Sequence, residues 1–202
     1  MPRLFVGTFL SPEGVEKLAK LSQANDHLAE KWNTNIRWVD KSKFHITWVF
    51  LGEVSSDLVP SVIESLNETF GKLDGSFDSL TINYDRVELW PSERKARLAV
   101  VTPSTVPDAV LKLDNKIKSA LKEFLPVGEK QHELKEFRPH LTVLRFPGDF
   151  RKQQNRRLKA EDIDRSPSFF PLEHHIQEVN LIESELGKHI DGYSKLATFR
   201  LE

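Results

Sequence analysis

The 202-residue chain contains no cysteine. That absence excludes a thiol nucleophile, a disulfide framework and cysteine-rich zinc sites. An excess of either charge is also missing. Lys and Arg total 29 against 30 Asp and Glu, for a formal net charge of −1. A protein that coats long duplex nucleic acid carries a basic excess; this balance leaves room only for a local basic patch or a small anionic substrate. The N-terminal MPRLFVGTFLSPEG holds a short apolar run ending at Ser11-Pro12. It is too short to cross a bilayer and lacks the layout of a signal peptide, so a cytoplasmic protein is expected. No glycine-rich loop ending in Lys-Ser/Thr is present to cradle nucleotide phosphates.

What remains is 39% hydrophobic and 29% charged, an ordinary globular composition. The length suits one large domain or two closely packed lobes. Leu4 to Leu10 reads as a strand. Ser11 and Pro12 then start a helix whose stripe of Val15, Leu18, Leu21 and Leu28 predicts a run to about Lys31. Further strands are predicted over 36–39, 44–51, 80–89, 97–101, 139–146, 176–185 and 193–201. Helices are predicted over 55–70 and 106–124. Turns are expected at Pro91, Pro147-Gly148 and Gly187. The polar and basic stretch 151–165 reads as an exposed helix or loop. The order is not strict βαβα alternation, which predicts an α+β fold with helices outside antiparallel sheets.

Two stretches echo each other. FHITWVFLGE begins at Phe44 and PHLTVLRFPGD at Pro139. Each has His, an aliphatic residue, Thr, more apolar residues, then glycine and an acid. The histidines are 140 − 45 = 95 positions apart. Seven His and nine Thr in 202 positions would give about 0.3 His-x-Thr matches by chance, so the shared context supplies most of the signal. On a strand, residues i and i+2 share a face, about 6.6 Å apart. Strict alternation therefore puts His45, Thr47 and Val49 on one face and Ile46, Trp48 and Phe50 on the core face. In the second copy His140, Thr142 and Leu144 oppose Leu141 and Val143. If both polar faces line one groove, two imidazoles and two hydroxyls converge. Two histidines can divide acid and base roles near neutral pH, and threonine hydroxyls can hold phosphate oxygens. That combination suits displacement at one phosphorus atom and needs no metal.

The paired motifs resemble those of the 2H phosphoesterase superfamily. Their flanks resemble the RNA 2′,3′-cyclic phosphodiesterase family within it, also called 2′-5′ RNA ligases. RLFVGTFL, RWVDKSKFHITWVFLGEV, FRPHLTVLR and VNLIESELG with YSKLATFRL stand in the family's order and span nearly the whole chain. Trp48 departs from it, standing where a smaller aliphatic residue is usual, and 151–165 is longer and more charged. The resemblance implies one bilobal domain over 1–202, with two antiparallel sheets around a central cleft. It implies hydrolysis of a 2′,3′-cyclic phosphate to a 2′-phosphate, and 2′-5′ joining when an RNA hydroxyl replaces water. His45 and His140 would be catalytic. Thr47 and Thr142 would bind the phosphate, with Arg145 and Arg138 as further substrate contacts. Motif symmetry leaves the acid and base interchangeable; the working assignment is His45 as acid and His140 as base. The expected partners are RNA ends or small nucleotides bearing the cyclic phosphate, with no membrane. No cofactor or metal is expected, and a monomer is.

Other features read more plainly. Adjacent strand residues point to opposite faces, so His174 and His175 make a poor metal pair. His27, His132 and His189 lack any partner pattern and read as surface residues. Trp38, Trp48, Trp90, Phe9 and Phe50 read first as core. Two rival functions keep the same frame: cleavage of 2′-5′ oligoadenylate or of an ADP-ribose cyclic phosphate, and a non-catalytic RNA-binding module. Product profiles separate the first, and binding of 2′-phosphorylated nucleotides without turnover would mark the second.

Overall fold

The first strand, β1 (Arg3–Phe9), ends where the chain needs a helix start. Ser11 Oγ accepts the Gly14 N–H at 3.2 Å and Pro12 sits in the first turn, so α1 (Pro12–Ala24) begins as its sequence predicts. It does not continue to Lys31. Asn25 is fully buried and interrupts it: its Nδ2 donates to Leu21 O at 2.8 Å, and its Oδ1 accepts the Asp164 N–H at 2.8 Å. One buried amide thereby ties the helix end to a distant loop. A separate turn of helix, α2 (Leu28–Lys31), follows and keeps Leu28 in the core. The computed structural model describes residues 1–77, 80–126, 137–146, 158–164, 166–184 and 192–201.

The remaining elements are β2 (Arg37–Trp38), β3 (His45–Glu53), α3 (Val59–Phe70), β4 (Leu80–Tyr84), β5 (Arg86–Trp90) and β6 (Leu98–Thr102). Then come α4 (Asp108–Leu121), β7 (Leu141–Arg145), β8 (Leu172–Ile176), β9 (Glu178–Ser184) and β10 (Tyr193–Arg200). One four-stranded sheet has the order β10-β9-β1-β3 and the other β2-β7-β6-β5, and β4 pairs with β8. All pairings are antiparallel. Helices α3 and α4 pack on each other, with α3 against β10 and α4 against β3. The α+β class expected from the sequence is the one observed.

Several boundaries differ from the sequence expectation. The run 80–89 is two strands in different sheets, split at Asp85, whose carboxylate accepts the Ser104 N–H at 2.7 Å. Strand β3 does not stop at Gly52 but continues to Glu53, with Gly52 inside it at φ +70°, where a glycine is at ease. The strand character expected at His174 and His175 is borne by a separate strand, β8, in which LEHHI alternates buried and exposed positions ahead of β9. The expected turns at Pro147-Gly148 and Gly187, with His132 and His189, lie outside the described residues. Of 151–165, the described part 158–164 is only partly exposed, at Lys159, Glu161 and Asp164. Leu158 and Ile163 are buried, and Asp162 pairs with Lys31 at 2.7 Å and accepts the Trp32 indole N–H at 2.9 Å. Among the described residues, no helix is long and apolar enough to cross a membrane.

His174 and His175 do face opposite ways. His175 is exposed and its Nδ1 meets Thr81 Oγ1 at 2.8 Å, whereas His174 is 1% exposed and its Nε2 donates to Phe9 O at 3.2 Å. Burial pushes the His174 imidazole down to about 4. The folded value lies below the unfolded one, so its contribution to stability is complete above about pH 6.5 and is lost as the pH falls towards 4. The loss amounts to about 3 kcal/mol. Urea unfolding at pH 7 and at pH 4 should therefore show a smaller acid loss for His174→Gln than for the parent. An equal loss would contradict this account.

Candidate active site

The two His-x-Thr stretches belong to different sheets, yet β3 and β7 touch. Between the sheets lies a cavity of about 730 Å³. His45, Thr47, His140, Thr142 and Arg145 all line it. Residues 95 positions apart in sequence are thus brought to one space. Arg138 does not line this cavity. It is exposed, pairs with Glu88 Oε2 at 2.9 Å, and lies 4.7 Å over the Trp90 ring. Its side chain is neutralised outside the cleft, because the chain at 138 has not yet entered β7.

Strict alternation fails in both strands, and at the same place. In β3, Gly7 opposes Thr47 while Val6 opposes Val49, so Trp48 is an extra residue without an opposite number. In β7, Val100 opposes Thr142 while Ala99 opposes Leu144, so Val143 is extra. A one-residue bulge reverses every side chain beyond it. Val49 and Leu144, expected on the polar faces, are therefore buried at 6% and 0% exposure. Phe50, expected in the core, lines the cavity instead, as Arg145 does. The repeat is geometric as well as textual: 140 − 45, 142 − 47, 143 − 48 and 145 − 50 all equal 95. Beside the first bulge, a Cβ on Gly7 would stand 2.8 Å from Ile46 O, so a side chain there would force the strands apart. Trp48 itself faces the core, as expected, and its indole N–H donates to Thr8 Oγ1 at 2.9 Å.

Each histidine is held in the same manner. His45 Nδ1 lies 2.7 Å from Lys43 O, and His140 Nδ1 lies 2.8 Å from Arg138 O. A carbonyl only accepts, so both Nδ1 atoms carry the proton and donate it. In the neutral rings this leaves Nε2 as the basic nitrogen. The ring of His45 is packed by Phe5 at 4.9 Å and by the edge of Tyr193 at 5.0 Å, and that of His140 by Trp90 at 4.4 Å. Both imidazoles are held below the ordinary histidine range. Burial is the main cause for each, opposed by the carbonyl hydrogen bond. His140 and Arg145 lower His45 further, and Arg138 lowers His140 further. The charge coupling of His45 to His140 and Arg145 reflects their shared space.

The hydroxyls of Thr47 and Thr142 have no hydrogen-bond partner among the described residues, so both are available to a ligand. Sequence reading missed Arg3, Phe5, Arg37, Trp38, Asp40 and Tyr193, which also line the cavity. A signal existed for two of them: Arg3 and Phe5 are i and i+2 on a strand beside Gly7. Among the described residues no cluster of three or more His, Asp or Glu side chains is arranged to hold a metal ion. The site can present two Nε2 atoms, two hydroxyls and several guanidiniums to one anion.

Comparison with known proteins agrees with that chemistry. Residues 11–100 match the family described as LigT-like phosphoesterases. The likeness in sequence to that family covers 11–100, and the likeness in fold to LigT covers nearly the whole chain, in accord with the resemblance carried by the two His-x-Thr motifs. Over 144 residues, 71% of each chain, it is 22% identical to the RNA 2′,3′-cyclic phosphodiesterase of Bacillus subtilis. The crystal structure of TT0787 from Thermus thermophilus is similar at a TM-score of 0.69, with 24% identity over 98% of this chain and 97% of that one. Escherichia coli LigT complexed with phosphate is similar at a TM-score of 0.66, with 20% identity over 99% and 97% of the two chains.

Proposed function

We propose that this chain hydrolyses the 2′,3′-cyclic phosphate of an RNA end or nucleotide to a 2′-phosphate, without a metal, using His45 and His140 as the proton-transfer pair. The observation that carries this reading is the matched pair: two imidazoles, each with Nδ1 fixed on a backbone carbonyl, and two threonine hydroxyls without a partner among the described residues, around one cavity. The Bacillus relative's name and the phosphate and 3′-AMP complexes of LigT support the choice of substrate class.

In the reaction, water attacks phosphorus and gives a proton to Nε2 of the neutral histidine. The bond from phosphorus to the 3′ oxygen breaks, and that oxygen takes a proton from the protonated histidine. The working assignment is His140 as base and His45 as acid. Thr47 and Thr142 hold the non-bridging oxygens, and Arg145 adds a positive charge where negative charge collects. With an RNA 5′-hydroxyl in place of water, the same displacement yields a 2′-5′ linkage. The 202 residues act as one bilobal unit, since the cavity needs strands from both sheets.

The test is incubation with a 2′,3′-cyclic mononucleotide and identification of the product isomer. The expected product is the 2′-monophosphate, formed at the same rate with and without EDTA. A 3′-monophosphate would reverse the leaving-group assignment, loss of activity on chelation would sink metal independence, and no product would overturn the reading.

A further inference from the structure

We propose that the groove beside the paired-histidine cavity is a second subsite, built for the nucleotide next to the terminal one, so that the preferred substrate is a single-stranded RNA end rather than a free mononucleotide. This rests on the phosphodiesterase reading of the first cavity. The groove has a volume of about 580 Å³ and shares Arg37, Leu98 and Arg145 with that cavity. Its own walls are Trp90, Pro91, Arg97 and Phe146.

The strand register explains why the two are continuous. Arg37 on β2 lies opposite Arg145 on β7, Arg145 opposite Leu98 on β6, and Leu98 opposite Trp90 on β5. Directly opposed residues on neighbouring strands project to one face, so these four form a row across the sheet. The row covers three inter-strand steps, about 14 Å. A ligand in the first cavity that extends along the row must pass Arg145 and enter the groove.

Charge identifies what would lie there. Arg37, Arg97 and Arg145 have no carboxylate partner among the described residues, whereas nearby Arg138 is neutralised by Glu88. Three uncompensated guanidiniums in a chain of net charge −1 are a local exception. One phosphate in the first cavity needs at most Arg145 and Arg37. Arg97 lies beyond it, bordering only the groove. A second phosphate, one nucleotide along, accounts for it. The apolar surfaces of Trp90, Pro91 and Phe146 offer a base or ribose a wall, and a charged rim with an aromatic wall is how single strands are held without sequence preference.

The experiment compares a 2′,3′-cyclic mononucleotide with a dinucleotide ending in the same cyclic phosphate, for the parent and for Arg97→Gln. Arg97 is exposed, so this change leaves the fold intact. The parent should show kcat/KM about tenfold or more higher on the dinucleotide, with a steeper fall as salt rises. Arg97→Gln should abolish most of that preference and leave the mononucleotide value within about twofold. Equal kcat/KM for the two substrates in the parent, or an equal loss on both in the variant, would overturn the subsite. If neither substrate turns over, the phosphodiesterase reading fails and the subsite is judged by binding. Calorimetry with a mononucleotide and a dinucleotide 2′-monophosphate should then show tighter dinucleotide binding that Arg97→Gln removes, and no difference between the ligands would refute it.

Discussion

Replacing His45 or His140 by alanine is expected to lower kcat on a 2′,3′-cyclic nucleotide by about a thousandfold, within the span usual for loss of a positioned acid or base. The double variant should be little worse than either single one, because the two groups serve one displacement. The same pair sets the pH dependence. The acid must hold a proton, so activity falls as pH rises past its pKa. The base must be free, so activity falls as pH drops below its pKa. Burial holds both imidazoles below the ordinary value of 6.5. The bell of kcat/KM, which reports the free enzyme, should therefore centre on the acid side of 6.5. A bound phosphate brings negative charge and favours both imidazolium forms, so the bell of kcat should centre at higher pH. Near-normal turnover in either alanine variant, or a kcat/KM optimum on the alkaline side, would remove the two-histidine mechanism.

Thr47→Val and Thr142→Val should each lower kcat by about a hundredfold, the usual scale for removing one donor aimed at developing charge. Valine keeps the volume of threonine and removes only the hydroxyl. Neither hydroxyl bonds to another described residue, so neither change breaks an internal hydrogen bond. Thermal unfolding should stay within a degree or two of the parent. Thr47→Ser and Thr142→Ser should restore much of the rate, because serine returns the donor. A donor used mainly in the transition state lowers kcat more than it raises KM. If valine instead raises KM alone, the hydroxyls bind the substrate without assisting the displacement. If it lowers the melting temperature along with the rate, their role is in the fold.

The paired motifs could be read in the sequence because a strand's period of two is insensitive to tertiary detail over three residues. His45 to Thr47 and His140 to Thr142 are short enough to obey it. Beyond Thr47 and Thr142 the same rule misplaced Val49, Phe50 and Leu144, since the bulges at Trp48 and Val143 add half a period. Nothing in the side chains of those two residues announces a bulge. The best clue sat on another strand, in Gly7, which meets the bulged strand closely. The break of the first helix at Asn25 was hidden for a similar reason: the apolar stripe continues through Leu28, and what stops the helix is a contact with Asp164 far along the chain. Tyr193, Arg37 and Trp38 reach the cavity through sheet order, which no local pattern encodes.

The carbonyls of Lys43 and Arg138 that hold the two imidazoles have an evolutionary consequence. In many enzymes the group that orients a histidine is a carboxylate side chain, and a single codon change can delete it. Here the orienting group is the peptide chain, which every amino acid supplies. Positions 43 and 138 can therefore drift in size and charge, adjusting how the rim meets different substrates, without disturbing which ring nitrogen bears the proton. The tautomer of each ring is insulated from variation at its own border, while the charge at 138 still tunes His140.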